Sequence, residues 1–396
     1  MTQMIQLSQL GTLRNGLNYD KSFATNGCKI IGVADFGNRV FPDYSSLQEI
    51  DDTIVTDADL LQDGDILFVR SNGNKNLVGR SMLINNISEK VCYSGFCIAL
   101  RPNHSVVIPK YLFYALRSPF CRKQYSYSQQ TNITNLSQSV LGNVIVPIPD
   151  YDVQEKHSNL LYNIDSKIML NTKICSELES MAKTLYDYWF VQFDFPDENG
   201  KPYRTSGGEM VWNEQLKREI PKGWEVSTVG KRIDKIPNTA RIPSSEYLRD
   251  GLIPVIDQSS DFIAGYTNNP DSVLKSKSGY IVFGDHTRIV KYIRFPFARG
   301  ADGTQVLKSN NPCIPEELFY QMIKSIDLSN YGYARHFKFL KDTLIVIPEK
   351  NISGNFAEIT KPIYEKQAKL VFENIELSKL RDWLLPMLMN GQARVE

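Results

Sequence analysis

The side chains in this sequence that could do chemistry are hydrogen-bond donors gathered in polar turns, a grouping suited to recognition rather than bond breaking. Arg70-Ser71-Asn72-Gly73-Asn74-Lys75, with Arg80 close behind, follows the apolar run Ile66–Val69. A strand end that runs into a glycine turn can project several donors along one edge. Arginine and lysine match guanine, asparagine and glutamine match adenine, and serine or threonine serve either base or phosphate. The same residues also make ordinary solvated turns with local caps. A second stretch, Tyr127-Ser128-Gln129-Gln130-Thr131-Asn132-Ile133-Thr134-Asn135, is polar and aromatic with no acid. In the later half, Asp285-His286-Thr287-Arg288 follows Gly279–Phe283 at the same relative place, with Lys291, Arg299 and Gly303-Thr304-Gln305 nearby. Tyr331-Gly332-Tyr333-Ala334-Arg335-His336, with Lys338, stands where Tyr127–Asn135 stands in the first half. His286 fits either a donor role or a core or capping one. Asp285 is expected to orient Arg288 or to accept from cytosine rather than to bind a metal.

Catalytic patterns are missing. Gly223 and Gly230-Lys231 are spaced as GxxxxxxGKR, two residues too far apart for a phosphate loop, and no GxGxxG occurs. Asn268-Asn269-Pro270-Asp271 and Asn311-Pro312-Cys313 lack the aromatic-flanked Pro-Pro of a base-amino methyltransferase and read as turns. Pro196-Asp197-Glu198 with Lys201 resembles part of a nuclease carboxylate cluster, but sits in a Pro/Gly-rich stretch with no strand to hold metal geometry. No serine or cysteine nucleophile motif is visible. The six cysteines show no CxxC pairing, and Cys92 and Cys97 read as buried thiols beside a strand. No catalysis and no bound metal or cofactor are expected of this chain alone.

The elements that position the turns come in two copies. At 396 residues the chain has room for two domains and something extra. Ile108-Pro109-x-x-Leu112-Phe113-Tyr114 recurs as Ile314-Pro315-x-x-Leu318-Phe319-Tyr320, and IQLSQLG at Ile5–Gly11 has its counterpart in WEVSTVG at Trp224–Gly230. Strands are predicted at Ile66–Val69, Lys90–Leu100 interrupted by Gly95, Asn143–Pro149, Gly279–Phe283 and Thr343–Ile347, with a short helix at Pro109–Ser118. From Asp152 the apolar period changes to that of a helix. Ile164, Asn171, Leu178 and Leu185 share one heptad position; Leu161, Ile168, Cys175, Ala182 and Trp189 share another. Asn171 either fixes register in a helix pair or faces solvent at a kink. A final helix, Phe356 to Asn390, repeats the habit with Ile363, Leu370, Leu377, Leu380 and Leu384. Pro386 is expected to end or bend it.

The fold class is therefore α+β. Two similar α/β domains, 1–150 and 224–350, carry an internal pseudo-twofold repeat. They are separated by two long antiparallel helices (151–192 and 351–396) forming a coiled-coil spacer, with an extended connector at 193–223. Helices roughly 50 Å long would hold the domain centres at least one DNA turn, about 34–36 Å, apart. The formal net charge is +1, and the mild positive excess falls in the two domains: residues 1–150 hold 13 basic and 12 acidic side chains, residues 222–350 hold 18 and 14. The opening MTQMIQLSQLG is not a secretory leader and no apolar run could span a membrane, so a cytoplasmic location is expected.

Three strings are specific: YDYWFVQFDFP, the following SGGEMVWNEQLKREIPKGWEV, and the terminal LRDWLLPMLMNGQ. With the duplicated plan of the whole chain, they closely resemble the specificity subunit of type I restriction–modification systems. The resemblance implies two target-recognition domains, each reading one half of a bipartite site in double-stranded DNA. The turn residues Arg70, Ser71, Asn72, Asn74, Lys75, Arg80, Ser128, Gln129, Asn132, Asn135, His286, Thr287, Arg288, Lys291, Arg299, Thr304, Tyr333, Arg335, His336 and Lys338 would then be the candidates for contact. It also implies two methyltransferase (modification) subunits docked on the helices, on the face away from Leu370, Leu377 and Leu384. Restriction/translocase subunits would join them, with S-adenosylmethionine, ATP and Mg belonging to those partners. From the residues alone a type II-like restriction–methylation enzyme, or a coiled-coil adaptor that reads no DNA, stays open.

Overall fold

The computed structural model describes residues 2–19, 27–37, 39–74, 77–126, 135–332 and 335–395. It divides into two units, Met1–Met169 with Asn374–Glu396, and Leu170–Glu373.

The first unit contains β1 (Gln3–Gln6), α1 (Leu7–Leu10), β2 (Gly11–Asn15), β3 (Cys28–Ile31), β4 (Gln48–Ile50), β5 (Ile66–Val69), β6 (Ser81–Leu83), β7 (Val91–Tyr93), β8 (Cys97–Pro102), α2 (Pro109–Arg117), α3 (Pro119–Ser126), α4 (Gln138–Gly142) and β9 (Ile145–Ile148). One sheet has the order β2-β8-β5-β6, another β4-β3-β7, and β1 pairs antiparallel with β9. β5 explains why the sheets stack as they do. Its four residues are apolar and all buried, and side chains alternate across a strand. Ile66 and Phe68 enter the core built on Tyr111, Leu112, Phe113 and Leu116 of α2; Leu67 and Val69 enter a second core with Ile31, Met82 and Tyr93. Lys90–Leu100 is not one interrupted strand. Its halves, β7 and β8, belong to different sheets, and the chain crosses between them at Ser94–Phe96.

The second unit repeats this plan. It contains β10 (Met210–Asn213), β11 (Arg218–Pro221), β12 (Glu225–Thr228), β13 (Ile253–Ile256), β14 (Gly265–Thr267), β15 (Val273–Leu274), β16 (Tyr280–Gly284), β17 (Val290–Ile293), β18 (Phe297–Arg299), β19 (Thr304–Leu307), α6 (Glu316–Ser325), α7 (His336–Asp342) and β20 (Leu344–Ile347). Sheets run β17-β16-β19 and β14-β13-β18-β15, while β12 pairs with β20 as β1 pairs with β9. β16 splits its faces as β5 does. Ile281 and Phe283 meet α6, and Tyr280 and Val282 meet Ile256 and Phe297.

Two long helices, α5 (Tyr151–Tyr186) and α8 (Lys350–Met389), contribute a segment to each unit, and within each unit the segments run antiparallel. In the first unit Asp165 Oδ1 accepts from Arg381 Nη1 at 2.8 Å, while Asp165 Oδ2 accepts from the Tyr114 hydroxyl at 2.8 Å. In the second, buried Asn171 donates to Glu373 Oε2 at 3.0 Å, and Gln367 Nε2 donates to the Cys175 carbonyl at 2.9 Å. Glu179 gathers Tyr320, Gln367 and Lys324. Asn171 thus occupies a core position.

The helix seam is more polar than the leucine row suggests. Leu370 and Ile164 are buried; Ile168, Leu178, Leu185, Ile363, Leu377 and Leu384 are half-buried; Leu380 is 44% exposed. Pro386 neither ends nor breaks α8, which continues to Met389 and stops where Gly391 takes a φ of +71°. A proline removes only one donor, and near a helix end the carbonyl it leaves can meet solvent. The residues past it close the first core, where Leu388 and Met389 are buried and Leu384, Leu385, Ala393 and Val395 pack.

The 193–223 stretch is not an extended connector. β10 and β11 form an antiparallel hairpin, and the aromatic string before it folds inward. Phe190 meets Phe356 with ring centroids 5.1 Å apart, and Phe195 stacks on Trp224 at 5.0 Å. The π-helical turn Asp187–Val191 at the end of α5 carries Trp189 and Phe190 into this cluster.

Candidate nucleic-acid interface

Each unit gathers its polar turns at the end of its doubly buried strand. In the first, β5 ends at Val69 and the chain turns outward through Arg70, Ser71, Asn72 and Asn74. The Arg70 carbonyl accepts from Leu136 N at 2.8 Å, and Ser71 forms an antiparallel bridge with exposed Asn135. The crossing between β7 and β8 joins them from the other side, because Arg70 N and Ser71 N both donate to the Phe96 carbonyl, at 2.8 and 3.3 Å. Arg70 Nη1 reaches the Gly95 carbonyl at 3.4 Å, and Asn72 Oδ1 accepts from Asn74 N at 2.7 Å. Arg80 donates to the Gly37 carbonyl, tying the same turn to the segment after β3. Lys75, Ser128, Gln129 and Asn132 lie outside the described residues, as does Tyr333 in the second unit.

The second unit has the same wiring. Asp285, directly after β16, donates its N–H to the Gly303 carbonyl at 2.7 Å, the counterpart of Arg70 to Phe96. The Asp285 carbonyl accepts from His336 N at 3.0 Å, the counterpart of Leu136 to Arg70. Exposed on this edge are His286, Thr287, Arg288, Arg335 and Lys338. Arg288 has a φ of +62° and donates from Nη1 to the Leu328 carbonyl at 3.3 Å. So each pair of stretches, 70–74 with 135 and 285–288 with 335–338, comes together.

Other residues are turned inward. Asp285 does not orient Arg288. Its carboxylate accepts from Phe337 N at 2.8 Å and so caps the first turn of α7. His336 is buried, with Nδ1 2.9 Å from the Asp285 carbonyl, so it holds the turn instead of facing outward. Lys291 is buried, and its ammonium bonds the carbonyls of Asp257 and Asp261; burial pulls its pKa down to about 8 against the pull of those two aspartates. Arg299 is buried in β18, where desolvation and the nearby Arg241 charge lower its pKa. Thr304 is buried in β19 with its hydroxyl on the Asp302 carbonyl at 3.2 Å. Buried side chains are poorly placed to meet a base edge, and in Lys291 and Thr304 the polar group is already taken by backbone carbonyls.

Two residues missed in the sequence belong to these edges. Phe96 is 61% exposed at the tip of the crossing. Gln258 braces the second turn, accepting from His286 N at 3.1 Å through Oε1 and from the Thr287 hydroxyl at 2.7 Å through its carbonyl. Gly95 marked a break before Phe96, whereas nothing in the order of residues marked Gln258, which arrives from 28 residues away.

Among the described residues no cluster of His, Cys, Asp and Glu could hold a metal ion. Among the described residues the edges offer donors, acceptors and exposed aromatic rings, Phe96 in the first and Tyr331 in the second, a chemistry of recognition.

Residues 2–180 match the family described as the type I restriction modification DNA specificity domain. The chain is 26% identical over 314 residues to the type I restriction enzyme MjaIX specificity subunit of Methanocaldococcus jannaschii, covering 73% of this chain and 70% of that protein. It is 23% identical over 415 residues to the HindI specificity subunit of Haemophilus influenzae, covering 84% and 87%. In fold it is similar to the crystal structure of a type I restriction–modification S subunit from M. genitalium, with a TM-score of 0.53, 16% identity, and 98% and 96% of the two chains covered.

Proposed function

We infer the role of this chain from the premise that it belongs to the type I restriction–modification specificity-subunit family: it is the non-catalytic subunit that chooses the DNA sequence on which a type I enzyme acts. The observation that carries the finer reading is the duplicated edge. Twice, a doubly buried strand ends in a donor-rich turn, and a second polar segment is bonded to the first residue after that strand, through Leu136 to Arg70 and through His336 to Asp285. Each edge reads one half-site of double-stranded DNA, so the target is bipartite with unread base pairs between the halves. In the first half-site Arg70, Ser71, Asn72, Asn74 and Asn135 make the contacts; in the second His286, Thr287, Arg288, Arg335 and Lys338 make them. Mounting the donors on buried strands fixes their spacing before DNA arrives, which lowers the ordering cost of binding.

The chemistry of modification and cleavage lies with the partners. Two methyltransferase subunits dock on α5 and α8 and hold S-adenosylmethionine; restriction/translocase subunits hold ATP and Mg. No helix among the described residues is long and apolar enough to cross a membrane, and the assembly works on DNA in the cytoplasm. The test is sequencing of methylated motifs in cells carrying the full system. A single bipartite motif is the expected result. A continuous motif, or methylation unaffected by loss of this chain, would overturn the reading.

A further inference from the structure

We propose that Phe96 is a specificity-determining residue of the first unit, an apolar contact to the methyl group of a thymine whose paired adenine is read by the neighbouring asparagine amides. The inference rests on the reading of the first unit as a DNA reader. Large aromatic side chains are normally buried, and an exposed one ringed by polar groups marks a contact surface. Phe96 is 61% exposed, yet its backbone is fixed. Its carbonyl accepts from Arg70 and Ser71, and its N–H donates to Ser94 Oγ at 3.3 Å. The Arg70 guanidinium lies on the Gly95 carbonyl beside it.

The core does not need this ring, since the neighbouring Cys97 and Ile98 are the buried members of the turn and strand. Nor does the fold require it. The residue with the same backbone role in the second unit, accepting from the first residue after the doubly buried strand, is Gly303 at a φ of +60°. There the space beside it is filled by Gln258, whose amide lies within 3 Å of where a Cβ would stand. One unit therefore presents an aromatic ring and the other an amide at the same place on the same scaffold. That difference is what two readers of unlike half-sites would show.

The neighbours select the base pair. Asn72 follows Ser71, and Asn135 is bridged to it. Asparagine amides pair with the N6/N7 edge of adenine in the major groove, and a phenyl ring can cover the C5 methyl of the thymine opposite. An amide and a ring side by side thus fit one A·T pair.

The test uses the assembled complex with its methyltransferase subunits and duplexes bearing the mapped target. Each thymine of the first half-site is replaced in turn by deoxyuridine, which removes only the methyl group. At one position the wild-type complex should lose about fourfold in affinity, the worth of one buried methyl-sized group. The same replacement should cost F96S nothing, while F96L, which keeps an apolar side chain, should stay sensitive. F96S should leave selection of the second half-site unchanged, and because the ring is exposed the variant should assemble normally. Insensitivity of the wild type to every replacement, an equal loss in F96S, or a first half-site without an A·T pair would overturn the proposal. Failure of the DNA-reading assignment itself looks different: exchange of the first unit would then leave the methylated motif unaltered.

Discussion

At the scale of single residues, Arg288 is the most informative position. Its backbone sits in the left-handed region, which costs a non-glycine residue roughly 1–2 kcal/mol, while its side chain is exposed beside Leu328. Arg288→Gly therefore separates strain from contact. The melting temperature should hold or rise, and sequence-specific binding by the assembled complex should fall by about 1–3 kcal/mol, or roughly 5- to 150-fold. Binding at the wild-type level would remove Arg288 from the interface. Arg70→Ala should weaken the first half-site alone, read from competition between duplexes altered in one half. The donor-rich turns were legible in the sequence because they follow recognisable strands. Which donors face outward was not. Lys291 sits on a strand whose neighbours are apolar, and only the distant carbonyls of Asp257 and Asp261 decide that its ammonium turns in. His336 spends its N–H and Nδ1 on the Asp285 carbonyl 51 residues away, and the Asp285 carboxylate accepts from the neighbouring Phe337 N–H, for the same reason.

At the scale of elements, α6 carries a titratable feature that the interface does not use. Glu316 opens the helix and is buried beside Ser278, whose hydroxyl donates to Oε1 at 3.0 Å, with Lys308 and Glu317 nearby. Burial is the main cause that pushes its carboxyl up to about 7 from 4.5, against the pull of Ser278 and Lys308. A raised carboxyl favours the protonated fold, so this contribution is whole below about pH 4.5 and is lost as pH rises towards 7. At about 1.4 kcal/mol per pKa unit the loss is on the order of 3 kcal/mol. Urea unfolding of Glu316→Gln should show that slope flattened over the same range; an unchanged slope would place the titration elsewhere. Strands and helices were the most legible layer, since β5, α2 and β16 announce themselves by apolar runs and by the repeated Ile-Pro-x-x-Leu-Phe-Tyr. The long helices were legible in existence but not in seam. Heptad counting put Leu380 inside, whereas the pairing is made largely by Asp165, Asn171, Gln367, Glu373 and Arg381, polar residues that a hydrophobic period does not weigh.

At the scale of the molecule, the first unit is discontinuous in sequence. Residues 374–396 belong with 1–169, and Leu388 and Met389 lie in the same core as Leu7 and Leu10. This alters how an exchange of readers should be made. Replacing residues 1–150 with those of a relative should change one half-site of the methylated motif and leave the other intact. Retaining the native 374–396 beneath a foreign core should lower stability by about 2–5 kcal/mol for each large side chain left mismatched, so carrying that segment across should restore yield and melting temperature. A swap that alters both half-sites, or neither, would sink the assignment of one reader to each unit. The same discontinuity bears on how the molecule is made. A ribosome adding about 5–20 residues per second releases the last helix some tens of seconds after the first strands. Until then the opening sheet waits with its floor missing. A chain cut short before residue 374 would keep every residue of the second unit and lack the segment that closes the first core.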